Sequence, residues 1–179
     1  MERPEAPQVL GAWEAHDNYT GWHRQWPLMN TVDGHALLVV AGETGGGASL
    51  PYTVLDFTDP TNITELGHWQ IPGNPDSADP NFYTFSAHEF TSWNGYIASG
   101  NYHGGVWVVD VGTMERAANP VTLGYYLPHE IPQAHGGTWD RPFLFNPDVW
   151  GAYFDDRGYI LTADWGSGFY VLKFDGTKG

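Results

Sequence analysis

A chain of 179 residues with 41% hydrophobic and 16% aromatic side chains can build a substantial core, which argues against disorder. It carries 21 acidic against 7 basic residues, a net charge of -14, and such a surface repels nucleic acid and anionic lipid while suiting salty water, cations or a basic partner. The absence of Cys removes disulfides, zinc–thiolate sites and Cys nucleophiles, and no apolar run approaches the ~20 residues of a membrane helix.

The first ten residues lack the charged start and apolar centre of a signal peptide, so export would need a leader outside this sequence. Pro7–Trp13 reads as an outer strand containing the phrase Leu-Gly-x-aromatic. A first unit follows. Leu28–Val32 reads as a strand, Asp33-Gly34 as a tight turn, and His35–Ala41 and Tyr52–Asp56 as buried strands. Glu43–Pro51 is inserted between the last two, and Asn62–Trp69 completes the unit with a second Leu-Gly-x-aromatic phrase. The stretch Asp56–Asn62 lacks the central Gly and terminal Glu of an EF-hand loop and reads as a turn.

The same order recurs. In the second unit Ala87–Thr91, the turn at Asn94-Gly95, Tyr96–Ser99, Val106–Asp110 and Asn119–Tyr126 take the corresponding places. In the third, Trp150–Phe154, the turn ending at Gly158, Tyr159–Ala163 and Phe169–Lys173 do so, with no fourth element. Short β-branched and aromatic runs separated by Gly and Asx turns predict an all-β fold, and four antiparallel strands per repeat match a propeller blade.

The predicted architecture is therefore a β-propeller of about three four-stranded blades in one domain, 1–179. The units span about 26–70, 85–127 and 148–175, with the outer strand 7–13 free to complete the last blade. Closed propellers have about 4–8 blades. The chain would then be a partial propeller from a longer one, half of a dimeric ring of two copies, or an open arc.

The phrases Gly104-Gly-Val-Trp-Val-Val-Asp110 and Asn119-Pro-Val-Thr-Leu-Gly-Tyr125 resemble the LVIVD-repeat family of β-propellers. Ser86–Phe90 before Gly95–Tyr102, and Ala163–Leu172 at the end, are similar to that family's blade opening and closing blade. The similar segments cover most of residues 7–174. The resemblance implies an exported or cell-surface propeller and does not define an activity.

Eight His residues are the main source of candidate chemistry. His88 and Glu89 open an inner strand and His103 follows the next one. Imidazole and carboxylate together suit Zn, Cu or Fe, so these three form a candidate transition-metal site at a channel mouth. His129-Glu130 and His135 lie in the long insertion before the third unit. Glu43, Asn101 and Asp164 each follow the second strand of their unit and form a candidate polar ring that would hold Ca²⁺ or water. Alternatively, they cap strand ends.

The loops 14–27, 70–85 and 127–149 each lead from an outer strand to the next inner strand. They make one candidate binding face, with Trp22, Trp26, Tyr83, Trp139 and Trp150 among its aromatics. Asn18-Tyr-Thr20 and Asn62-Ile-Thr64 are glycosylation tripeptides. No nucleophile elbow, phosphate loop, dinucleotide fingerprint or zinc-protease motif is present, so a nucleotide enzyme or motif-based hydrolase has no positive support. The leading expectation is an extracellular or cell-surface module binding a protein or glycan, without membrane insertion. The alternative is a metal-dependent, oxidoreductase-like or hydrolytic propeller enzyme built on His88, Glu89 and His103.

Overall fold

The computed structural model describes residues 6–15, 22–43, 50–72, 85–128 and 147–175. Within them the chain is all-β, with three antiparallel sheets and one short helix. Sheet 1 runs β1 (Trp22–Pro27), β2 (Leu37–Gly42), β3 (Tyr52–Asp56), β4 (Thr64–Trp69). Sheet 2 runs β5 (Phe90–Trp93), β6 (Tyr96–Gly100), β7 (Val106–Asp110), β8 (Val121–Tyr126). Sheet 3 contains β9 (Val149–Phe154), β10 (Tyr159–Asp164) and β11 (Gly168–Lys173), with β10 in the middle.

Turn chemistry sets these hairpins. Asp33 and Gly34 have φ of 51° and 88°, and Asn94 and Gly95 have 48° and 82°, the paired left-handed values of a two-residue hairpin turn. In the third hairpin Gly158 takes φ 83°, and the Asp155 carboxylate accepts the backbone N–H groups of Arg157 and Tyr159 at 2.9 and 3.0 Å. The turn expected at Asp56–Asn62 is held the same way: Asp56 accepts Thr58 N–H and Asp59 accepts Thr61 N–H, both at 2.9 Å. Helix α1 (Met114–Ala118), which the strand pattern did not predict, fills the β7–β8 connection and is capped by the Thr113 hydroxyl.

Two expectations need correction. The first strand of sheet 1 is not Leu28–Val32 but β1, inside the stretch expected to be loop 14–27. Its side chains alternate, with Arg24 and Trp26 half-buried between the exposed His23, Gln25 and Pro27. Leu28 and Val32 are buried on the way into the turn. Residues 7–13 do not form the expected outer strand, and Val9 is 88% exposed. Among the described residues no strand edge pairs with them, and an unpaired extended segment gains nothing from the ladder. Gly11 instead lies against the β3–β4 turn, where an added Cβ would strike the carbonyl of Pro60.

The sheets pack in chain order. Leu37, Val39, Tyr52 and Val54 of sheet 1 meet Phe90, Ile97 and Val109 of sheet 2 in one core. Ala98, Val106 and Val108 of sheet 2 meet Val149, Ala152 and Ile160 of sheet 3 in a second. The first strands are neighbours: β1 touches β5, β5 touches β9, and Glu89 makes a parallel bridge to Gly151.

Candidate functional site

Because the hairpins are antiparallel, the start of each first strand lies beside the end of the second. That geometry gathers His23 of β1, Glu43 just after β2, His88 and Glu89 just before β5, Tyr102 after β6 and Trp150 of β9. Backbone pairing fixes the framework. Glu89 N–H donates to the Trp150 carbonyl and Gly100 N–H to that of Glu89, both at 3.0 Å, while Tyr102 and Val149 exchange bonds of 2.8 and 3.0 Å.

At the centre stand His23, Glu43 and His88, whose ligating atoms all lie within 4.8 Å of one another. His88 Nδ1 is 2.8 Å from the Trp150 carbonyl, and His23 Nδ1 is 3.3 Å from the His88 carbonyl. A carbonyl only accepts, so in these contacts each Nδ1 is the donor, and a neutral ring in that tautomer has Nε2 as its acceptor nitrogen. His23 Nε2 is 3.6 Å from Glu43 Oε2, and the Tyr102 hydroxyl donates to Glu43 Oε1. Burial and the adjacent Glu43 carboxylate push the Tyr102 phenol well above its ordinary value, so it remains a donor. The His23 and His88 rings are 4.8 Å apart, and Trp150 is 5.0 Å from His88 on its other side.

Of the trio expected to hold a metal, only His88 belongs to this cluster. The Glu89 carboxylate pairs with Arg24 at 2.8 Å. It also acts on Tyr153, whose phenol is raised by burial first and then by Glu89. His103 acts electrostatically on Asp148, a carboxyl pushed up chiefly by burial, with Asp164 adding to the rise and His103, Trp150 and His88 opposing it.

The candidate ring also divides. Leu37, Tyr96 and Tyr159 pair with the last residues of β3, β7 and β11, so the same count along each strand reaches Gly42, Asn101 and Asp164. Glu43 therefore corresponds to Tyr102, its hydrogen-bond partner, and not to Asn101. Asn101 is buried, donating to Ser99 at 3.0 Å and accepting from the Tyr52 hydroxyl at 2.5 Å. Asp164 accepts from Asp148 N at 2.6 Å and from Gly166 N and Ser167 N at 3.0 and 2.7 Å. Both side chains bind local partners, the arrangement of strand-end caps.

Trp22 and Trp150 are partly exposed at this end, and Trp165, 4.7 Å from Trp150, is 68% exposed. Trp26 packs against the first core with Arg24 over its ring. Tyr83, Trp139, His129, Glu130 and His135 lie outside the described residues. Sequence reasoning missed His23 because it sits in Trp-His-Arg-Gln-Trp, a segment without β-branched residues that reads as loop. The alternation of aromatic and cationic side chains at positions 22, 24 and 26 was the available sign of a strand.

No family model and no curated protein matches this chain. Among solved structures it is similar to the crystal structure of the computationally designed Ika4 protein, at 12% identity and a TM-score of 0.37. The match covers 94% of this chain and 99% of that one. A likeness at that level carries no argument about fold or function.

Proposed function

We propose that this chain is an arc of an LVIVD-type β-propeller that works outside the cytoplasm as a protein- or glycan-binding module. The repeated contact of its small outer residues carries the reading. Gly67 of β4 lies so close to α1 that a Cβ there would strike the Ala118 carbonyl, and Gly11 stands in the same relation to the β3–β4 turn through Pro60. Residues 7–13 thus lie against sheet 1 much as β4 lies against sheet 2, where the outer edge of a preceding blade would lie. The third equivalent, Gly124 of β8, has nothing among the described residues within 4 Å of its Cβ position, which leaves room for the connection a fourth strand of sheet 3 would bring. Flanking blades would come from further chain or from a second copy.

The recognition surface in this reading is the end where the first strands begin, with Trp22, Trp150 and Trp165 offering flat apolar faces. A glycan array probed with the full chain, followed by titration of the best oligosaccharide while Trp fluorescence is read, tests it. Binding lost in W150A and W165A supports the reading. Binding that survives both substitutions, or no binding to glycans or to candidate surface proteins, overturns it. The solution mass tests the assembly, since a monomer excludes a ring of two copies.

A further inference from the structure

We infer that His23, His88 and Glu43 form a binding site for one divalent first-row transition-metal ion, separate from any use of the surrounding aromatics. Three independent features of the geometry converge on it. The first is the donor set: two imidazole nitrogens and one carboxylate oxygen within 4.8 Å of one another. Ligands sharing one ion at ~2.1 Å stand ~3–4 Å apart, and His23 Nε2 and Glu43 Oε2 already sit at 3.6 Å.

The second is orientation. Both histidines have Nδ1 on a backbone carbonyl, His88 on Trp150 and His23 on His88 itself, which leaves Nε2 as the nitrogen open to an ion, and His23 Nε2 lies beside Glu43. Anchoring the distal N–H is how a protein fixes the tautomer and direction of a metal-bound imidazole. The third is the carboxylate. Tyr102 holds one oxygen of Glu43, leaving the other directed at His23.

These supports come from three different strand ends, so the fold itself brings the donors together. A histidine–carboxylate pair alone would explain His23 and Glu43, but it would not explain why a ligating nitrogen of His88 also lies within 4.8 Å of both. Two imidazoles and one carboxylate favour Zn²⁺, Fe²⁺, Co²⁺ or Cu²⁺ over Ca²⁺ and Mg²⁺, which prefer all-oxygen shells. Three protein ligands, one of them the exposed His23, leave coordination positions for water or a small donor molecule.

The test uses the full chain after chelator treatment, titrated with Co²⁺ while the visible absorption is read and with Zn²⁺ in a calorimeter. One ion per chain is expected. H88A and H23A should each weaken binding by about 100-fold, and Y102F by about tenfold through its hold on Glu43. Binding should weaken on acidification, because imidazole and carboxylate must be deprotonated to hold the ion. H68A removes a histidine paired with Glu65 elsewhere on the surface and should leave the affinity unchanged. Because His23 is exposed, H23A keeps the test valid even if H88A fails to fold. Absence of saturable one-to-one binding, or equal affinity in wild type and H23A, overturns the site. Neither result depends on glycan binding, so this inference and the proposed function fail separately.

Discussion

The two joints between sheets share cross-sheet hydrogen bonds and a glycine set against backbone, Gly67 by Ala118 in the first and Gly100 by Gly151 in the second, but they differ in what fills the core between them. Sheet 1 meets sheet 2 through interdigitated large side chains: Tyr52 lies 5.1 Å from Trp69 and 5.3 Å from Phe90, with Val39, Val54, Ile97 and Val109 around them. Sheet 2 meets sheet 3 with small residues and direct backbone approach. Gly100 and Gly151 touch, Ala98 and Ala152 line the core, and hydrogen bonds cross between the sheets. Among these, Thr91 accepts Phe154 N–H at 2.8 Å and pairs with the Ala152 carbonyl at 3.4 Å. One repeating unit can therefore be joined by apolar volume or by close backbone fit. The core of the first joint should be most sensitive to lost volume, while that of the second should tolerate little added volume.

The strongest test of that contrast is Phe90→Ala. Phe90 is fully buried in the first joint, and its truncation leaves a cavity beside Tyr52. The expected cost is about 3–5 kcal/mol, read from urea unfolding followed by Trp fluorescence. A cost below about 1 kcal/mol would mean that the joint collapses freely and is not held by packed volume.

Next in size is Gly100→Ala. Its new Cβ would lie 2.7 Å from the Gly151 backbone nitrogen and 2.9 Å from its Cα, and a backbone cannot swing aside like a side-chain tip. A cost of about 1–3 kcal/mol is expected. Hydrogen exchange adds the decisive reading. Amides of β9 and β10 should exchange faster while those of β2 and β3 keep their protection. Equal loosening of both regions would show that the joints are not distinct.

Most of the strands were legible because they are short apolar runs bounded by Gly or Asx turns, which β1 is not. Tyr52–Asp56 and Val106–Asp110 fall where the pattern put them. Local signals of this sort do not depend on what lies across the interface. The segment 7–13 failed for the opposite reason: its phrase matches β4 and β8, but a strand needs a partner edge, which the phrase does not encode. The candidate site was legible only in part. His88 stood out beside a strand start, whereas His23 and Glu43 reach it through a bulge between Trp22 and Arg24 and through the register of β2. Those shifts decide which side chains converge, and they arise from pairing between segments far apart in sequence.

The smallest expected effect separates the joints by pH. Tyr52, buried in the first joint and hydrogen-bonded to Ser99 and Asn101, is pushed up by burial and stays neutral at ordinary pH, so it contributes no pH dependence there. Asp148, at the start of sheet 3, is raised mainly by burial. A carboxyl raised in the folded state binds its proton more tightly than in the unfolded chain. Its ionisation therefore costs stability, and stability falls as pH rises from the ordinary carboxylate value through the folded one. Asp148→Asn removes the charge and keeps the oxygen that accepts Trp150 Nε1–H at 3.2 Å. The variant should gain stability at pH 7 and nothing near pH 3, where wild-type Asp148 is protonated in both states. Urea midpoints at the two pH values measure this. An equal gain at both would assign the effect to packing rather than charge, and a loss at pH 7 would mean that the carboxylate is held by a favourable partner such as His103.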